Sequence, residues 1–121
     1  MSKRTLVEFE WQTNCLAWVM FDQALKDAEE LDAYMKLHKK LKGPLHGLPI
    51  SVKEHIYLKG TPSTSGFIAW ANDFCEKDED EALVLKVLRE AGAVFYVKTT
   101  NPQSLMVSLL WHLEDEGLLM N

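Results

Sequence analysis

"LPISVKE", residues Leu48–Glu54, is the stretch on which the fold turns. Leu48, Ile50 and Val52 recur at every second residue, the period of a β-strand, so they point one way while Ser51 and Lys53 point the other. A strand over Leu48–Val52 is therefore predicted, with Lys53 sharing a face with a hydroxyl. Just upstream, Gly43 and Pro44 cannot continue a helix and mark the break before it. A lysine on a half-buried strand ordinarily lays its stem on apolar surface and sends its ammonium to water. Held away from water, the same amine acts as a base. The strand alone leaves both readings of Lys53 open.

Upstream of that break, Phe21, Leu25, Ala28, Leu31 and Met35 fall at steps of four and three residues, which predicts a helix from Phe21 to about His38 with these five side chains on its buried face. Asp22, Lys26, Glu29, Glu30 and Lys36 form its solvated face. Before it, "NCLAWVM" (Asn14–Met20) has the β-branched and aromatic content of a short strand. Downstream of Lys53, "YLKGTPSTSGFIAWAN" (Tyr57–Asn72) is rich in Gly, Pro, Ser and Thr and predicts a long irregular loop, a type of segment that tends to carry function. Asp78 followed by Glu81 has the form of a capping box and opens a second helix, with Ala82, Leu85 and Leu88 buried and Gly92 at its C-terminal cap. "AVFYVK", Ala93–Lys98, is a second apolar strand. Strand, helix and strand in that order predict a parallel pair joined by a crossover, hence an α/β layer.

The 121 residues suffice for one domain or part of one, and 47% hydrophobic with 26% charged residues is a globular composition. A net charge of −5, with Lys39–Lys42 as the only basic cluster, argues against a nucleic-acid binder held by phosphate contacts. No apolar run reaches the roughly 20 residues of a membrane helix. Cys15 and Cys75 stand far apart without ligand or redox spacing, so free thiols in a reducing cytoplasm are predicted. His46 and His55 have no acid or cysteine at metal-ligand spacing and are read as loop residues. Ser63, Thr64 and Ser65 lack the G-x-S-x-G elbow of a nucleophile and are read as turn hydroxyls. Trp11, Trp18, Trp70 and Trp111 follow no repeat and are assigned to packing.

Three segments in register, "GPLHGLPISVKEH", "KGTPSTSGF" and "DEDEALVLKVLREAGAVFYVKTTNP", resemble the N-terminal part of the amidase signature family, in particular its fungal acetamidase-like branch. The resemblance runs from about Asn14 to Met106 and leaves 1–13 unassigned and 107–121 as an atypical tail. It implies a partial amidase-signature fold, with the strand-helix-strand unit belonging to a mixed sheet flanked by helices. It also implies hydrolysis of carboxamides by a Ser/cis-Ser/Lys triad, with no cofactor and no metal, and it identifies Lys53 as the triad's lysine. In that role the amine must be neutral, and burial lowers a lysine's pKa. Gly66, Phe67 and Ile68, in "GFIAW", are the local candidates for an apolar wall beside the amine.

The family carries both serines in a glycine-rich segment further along the chain, and neither Ser104 nor Ser108 has glycine neighbours. The resemblance thus predicts a fragment that holds the base without the nucleophile and is inactive alone. "His-Leu-Glu", expected after Ser104–Met106, recurs at His112–Glu114, the pattern of a short foreign insert followed by a premature end. The alternative is a non-catalytic remnant or a small interaction module built on the same unit. A small amide is the expected substrate of a completed enzyme, with no nucleic-acid or membrane partner. Two apolar strands and two helices leave part of a sheet uncovered, which predicts self-association through an open sheet edge.

Overall fold

A computed structural model describes residues 13–106. Its elements in chain order are β1 (Leu16–Val19), α1 (Phe21–His38), β2 (Pro49–Lys53), α2 (Leu83–Glu90) and β3 (Val94–Thr99), with single 3-10 turns at Ile68–Trp70 and Gln103–Leu105. The sheet is mixed, in the order β1-β3-β2. β2 runs parallel to β3, as a strand-helix-strand unit requires, and β1 runs antiparallel to it. Trp11, Ser108, Trp111 and the His112–Glu114 tripeptide lie outside the described residues.

β3 is the central strand and is buried on both faces, whereas β2 buries Val52 and exposes Pro49, Ser51 and Lys53. The register pairs Pro49 with Val94 and Ile50 with Phe95, so Val94 and Phe95 enter opposite layers. On one side Val52, Leu58, Leu85, Ala93 and Phe95 form a cluster to which Ile50, Ala82 and Leu88 add. On the other, Ala24, Leu31 and Val94 pack with Ala28 and Tyr96. Between Ile50 and Ser51 the partner jumps from Phe95 to Val97, so Tyr96 is an extra residue in β3. Such a bulge reverses which residues face which layer beyond it.

Both helices occupy the predicted segments, with three corrections. The buried stripe of α1 is rotated: Ala24 is buried in place of Leu25 and Met35, which are 51% and 43% exposed. Alanine on that line lets the helix lie close to Val94, while Phe21 stacks on Tyr96 with 6.5 Å between ring centroids. The capping box does not form. α2 begins at Leu83 behind Ala82, with no side-chain cap, because Glu81 is turned away to Arg89 and Asp78 pairs with Lys59 at 2.7 Å. The third correction concerns β2, which starts at Pro49 and leaves Leu48 48% exposed. Gly92 does close α2: its φ is +97°, its N–H donates to Arg89 O at 3.0 Å, and a Cβ there would stand 2.7 Å from His46 Cα.

Candidate active site

The carboxyl ends of parallel strands are where α/β sheets place their ligands. Here those ends bring Lys53 beside the exit of β3. The backbone N–H of Glu54 donates to Thr99 O at 2.9 Å, carrying the ladder one residue past β2. Lys53 pairs with Thr99 in register, and its Nζ donates to the carbonyl oxygen of Thr100. Its side chain is exposed, so the desolvation expected of this amine is not found in the chain. The reason is its place: Lys53 lies on the Pro49 and Ser51 face, at the last residue of an outer strand.

The desolvated amine belongs to Lys98. It opposes Val52 in register, which the bulge at Tyr96 makes possible, and it is 0% exposed. Its Nζ donates to Pro62 O at 2.6 Å, to Ser63 Oγ at 2.8 Å and to Thr61 Oγ1 at 3.2 Å. The two hydroxyls pass their own hydrogens on, Thr61 to Leu58 O at 2.7 Å and Ser63 to Ile56 O at 3.2 Å. Burial pushes the Lys98 amine down from 10.5 to about 8, while Glu54 and Cys75 act in the opposite direction. Ser63, expected as a turn hydroxyl, is thus a buried partner of a lysine.

Glu54 fixes the next part of the loop. Its carboxylate is buried, Oε1 accepts from the Thr64 N–H, and Oε2 has no hydrogen-bond partner among the described residues. The chain then turns at Gly66, where φ is +80° and a Cβ would meet Gln103 Cα at 2.6 Å. Only glycine fits so close an approach with that backbone. Gly66, Phe67 and Ile68 line a cleft of about 220 Å³ together with Glu54, Thr100 and Asn101. Phe67 is half-buried and packs on Trp70 at 4.9 Å between centroids, whereas Ile68 is 92% exposed. The structure therefore brings the three predicted wall residues together with the neighbours of Lys53. The Asn101 Oδ1 and His55 Nδ1 atoms are also buried without hydrogen-bond partners among the described residues. His46, by contrast, accepts the Lys42 N–H at Nδ1, 3.1 Å away, as a turn residue does. Ser104 lies in a 3-10 turn, and its N–H donates to Ser65 O at 2.9 Å, next to Gly66.

Residues 3–109 match the family model for Amidase. The chain belongs to the amidase family. It is 50% identical over 95 residues to an acetamidase of Emericella nidulans, covering 78% of this chain and 17% of that protein. An acetamidase of Aspergillus oryzae is 46% identical over 94 residues, again covering 78% of this chain and 17% of its own length. Among solved structures the fold resembles fatty acid amide hydrolase, with a TM-score of 0.74 and 39% identity over 80% of this chain and 16% of that one. It also resembles the peptide amidase of Stenotrophomonas maltophilia, with a TM-score of 0.59 and 33% identity over 73% and 18%. This amidase chain thus spans under a fifth of the length of these relatives.

Proposed function

We propose that this chain supplies the lysine and its supporting sheet to an amidase that hydrolyses carboxamide C–N bonds through a Ser/cis-Ser/Lys relay. The observation that carries the reading is the family match over residues 3–109, which includes the Lys53 strand. Lys53 acts as the base. The Thr100 carbonyl that holds its amine belongs to a residue lining the cleft, and a fixed donor–acceptor geometry is what proton transfer needs. In this setting the chain offers water a clear route to the amine. A covering layer that contained the two serines would both complete the relay and remove that water. Small aliphatic amides are the proposed substrates, in keeping with the acetamidase names of two relatives. Free thiols at Cys15 and Cys75 support a cytoplasmic setting.

The test fuses the glycine-rich serine segment and the remaining C-terminal part of a fungal acetamidase to Met106 and measures acetamide hydrolysis. The extended protein is expected to turn over and to react with a fluorophosphonate, and the 121-residue chain to do neither. Lys53→Ala in the extended protein is expected to lower kcat by about 10² to 10⁴, the range of a lost general base. Lys53→Arg is expected to do no better, because a guanidinium stays protonated. An active Arg variant refutes the assignment of the base. Fluorophosphonate labelling of the 121-residue chain at Ser63, Ser65, Ser104 or Ser108 refutes the missing nucleophile.

A further inference from the structure

The position opposite Val52 is one where a valine or leucine packs without cost, yet it holds a lysine that is fully buried. An ammonium has three N–H donors, and three oxygens lie at 2.6, 2.8 and 3.2 Å from Nζ. All three come from consecutive residues, Thr61, Pro62 and Ser63, so the side chain grips a continuous piece of loop. Thr64 is gripped in turn by Glu54. The loop is thus fastened from below by Lys98, two residues before the carbonyl that holds Lys53, and from the side by the residue next to Lys53. We propose that Lys98 is a positioning residue: by docking Thr61–Ser63 onto β3, it sets the loop that walls the cleft beside Lys53. Only the catalytic meaning of that wall rests on the amidase reading above.

The docked arrangement accommodates the amine in either protonation state. A neutral amine keeps two donors and gains a lone pair. The Ser63 hydrogen can then swing from its 3.2 Å bond with Ile56 O to that lone pair. Docking takes the amine out of water, so the docked state binds the proton less tightly than the open one, and docking strengthens as pH rises. The charged and titratable groups that face Lys98 are Glu54, from the end of β2, and Cys75, from the loop segment paired with Thr61.

Amide exchange in the 121-residue chain tests this. The Thr64 amide, bonded to Glu54, reports the loop, and the Glu54 amide, bonded to Thr99 O, reports the ladder. From the two amine values of about 8 and 10.5, the ratio of their protection factors is expected to rise about tenfold between pH 7 and pH 9. Lys98→Met is expected to flatten that profile, and Cys75→Ser to leave it in place. A wild-type ratio that does not rise overturns the proposal, as does the same rise in Lys98→Met or a loop without protection at pH 7. If Lys98→Met does not fold, the double variant Thr61→Val with Ser63→Ala keeps the lysine and removes two of its acceptors. That variant is expected to lower Thr64 protection at least fivefold with Glu54 unchanged; unaltered Thr64 protection overturns the proposal. None of these readings needs turnover, so an extended protein without amidase activity would sink the proposed reaction and leave the docking role standing.

Discussion

Replacing Arg89 by methionine probes the one buried carboxylate, among the described residues, that carries a full set of partners. Glu81 is 3% exposed at its side chain and receives Arg89 Nη1 at 2.6 Å, Arg89 Nη2 at 3.0 Å and the Lys59 N–H at 3.2 Å. Arg89→Met keeps apolar cover over Phe95, above which the guanidinium lies at 5.4 Å, and removes two of the three bonds. Breaking a fully buried pair costs about 3–5 kcal/mol. Arg89 is 46% exposed, so water screens its end of the pair and about 2 kcal/mol is the working figure. Glu81→Gln keeps an acceptor oxygen, and the charge it leaves unpaired is the half-exposed guanidinium of Arg89, which water can solvate, so about 1 kcal/mol is the expectation there. The sign with pH separates the two further. Burial pushes the Glu81 carboxyl up, but Arg89 and the Lys59 N–H outweigh it and hold the group below its ordinary 4.5. A carboxyl lowered by folding contributes stability above its unfolded value, and that contribution is lost as pH falls through the folded one. With Arg89 gone, burial dominates, so the deficit of the variant is expected to be full at pH 7 and to shrink toward pH 4. Urea unfolding at micromolar concentration, followed by tryptophan emission, measures it. A deficit under about 0.5 kcal/mol at pH 7, or one equal at pH 7 and pH 4, refutes the reasoning.

Gly66→Ala places a Cβ 2.6 Å from Gln103 Cα at a φ of +80°, so a loss of about 1–3 kcal/mol is expected, with displacement of the Phe67–Trp70 pair seen in ring-proton shifts. Unchanged stability and shifts would show that the backbone gives way there. Among the described residues β2 and β1 each have one unpaired edge, and Leu83, Val84 and Val87 stand 75%, 54% and 55% exposed on α2. Oligomers in sedimentation at tens of micromolar and binding of an apolar dye are therefore expected, both reduced by Ser51→Lys on the β2 edge. A monomer that binds no dye counts against it.

Period and punctuation made the strand-helix-strand unit readable, because Ile50 and Val52 alternate with Ser51 and Lys53, and Gly92 closes α2. What they could not give was parity across β3. Counting by twos from Phe95 sends Lys98 to the opposite layer, and only the extra residue at Tyr96 returns it to the side of Val52. The buried lysine was therefore invisible next to Lys53, although both sit in apolar strands. Asp78 and Glu81 misled for a different reason: their spacing fits a cap, but a carboxylate that finds a guanidinium eight residues on gains more than one that bonds a backbone N–H. That Tyr57–Asn72 forms an irregular loop was legible from its composition. Which of its hydroxyls turn inward was not, since that depends on a partner 35 residues away.

The strand order also fixes a sequence of events. Pro49 and Val94 meet through a compact unit whose middle is α2, whereas Leu16 must find Thr99 across nearly the whole described chain. Pairings between distant residues form late because their loop must close first. On a ribosome β1 is made before β2 and β3, yet its partner in the sheet is β3, the last of the three to emerge. Until then Trp18 and Val19 have no ladder to join, and they remain 37% and 49% exposed even once it has formed. The first of the three strands is thus the one longest open to chance encounters during synthesis, and a chaperone that shields emerging chains would find a grip there.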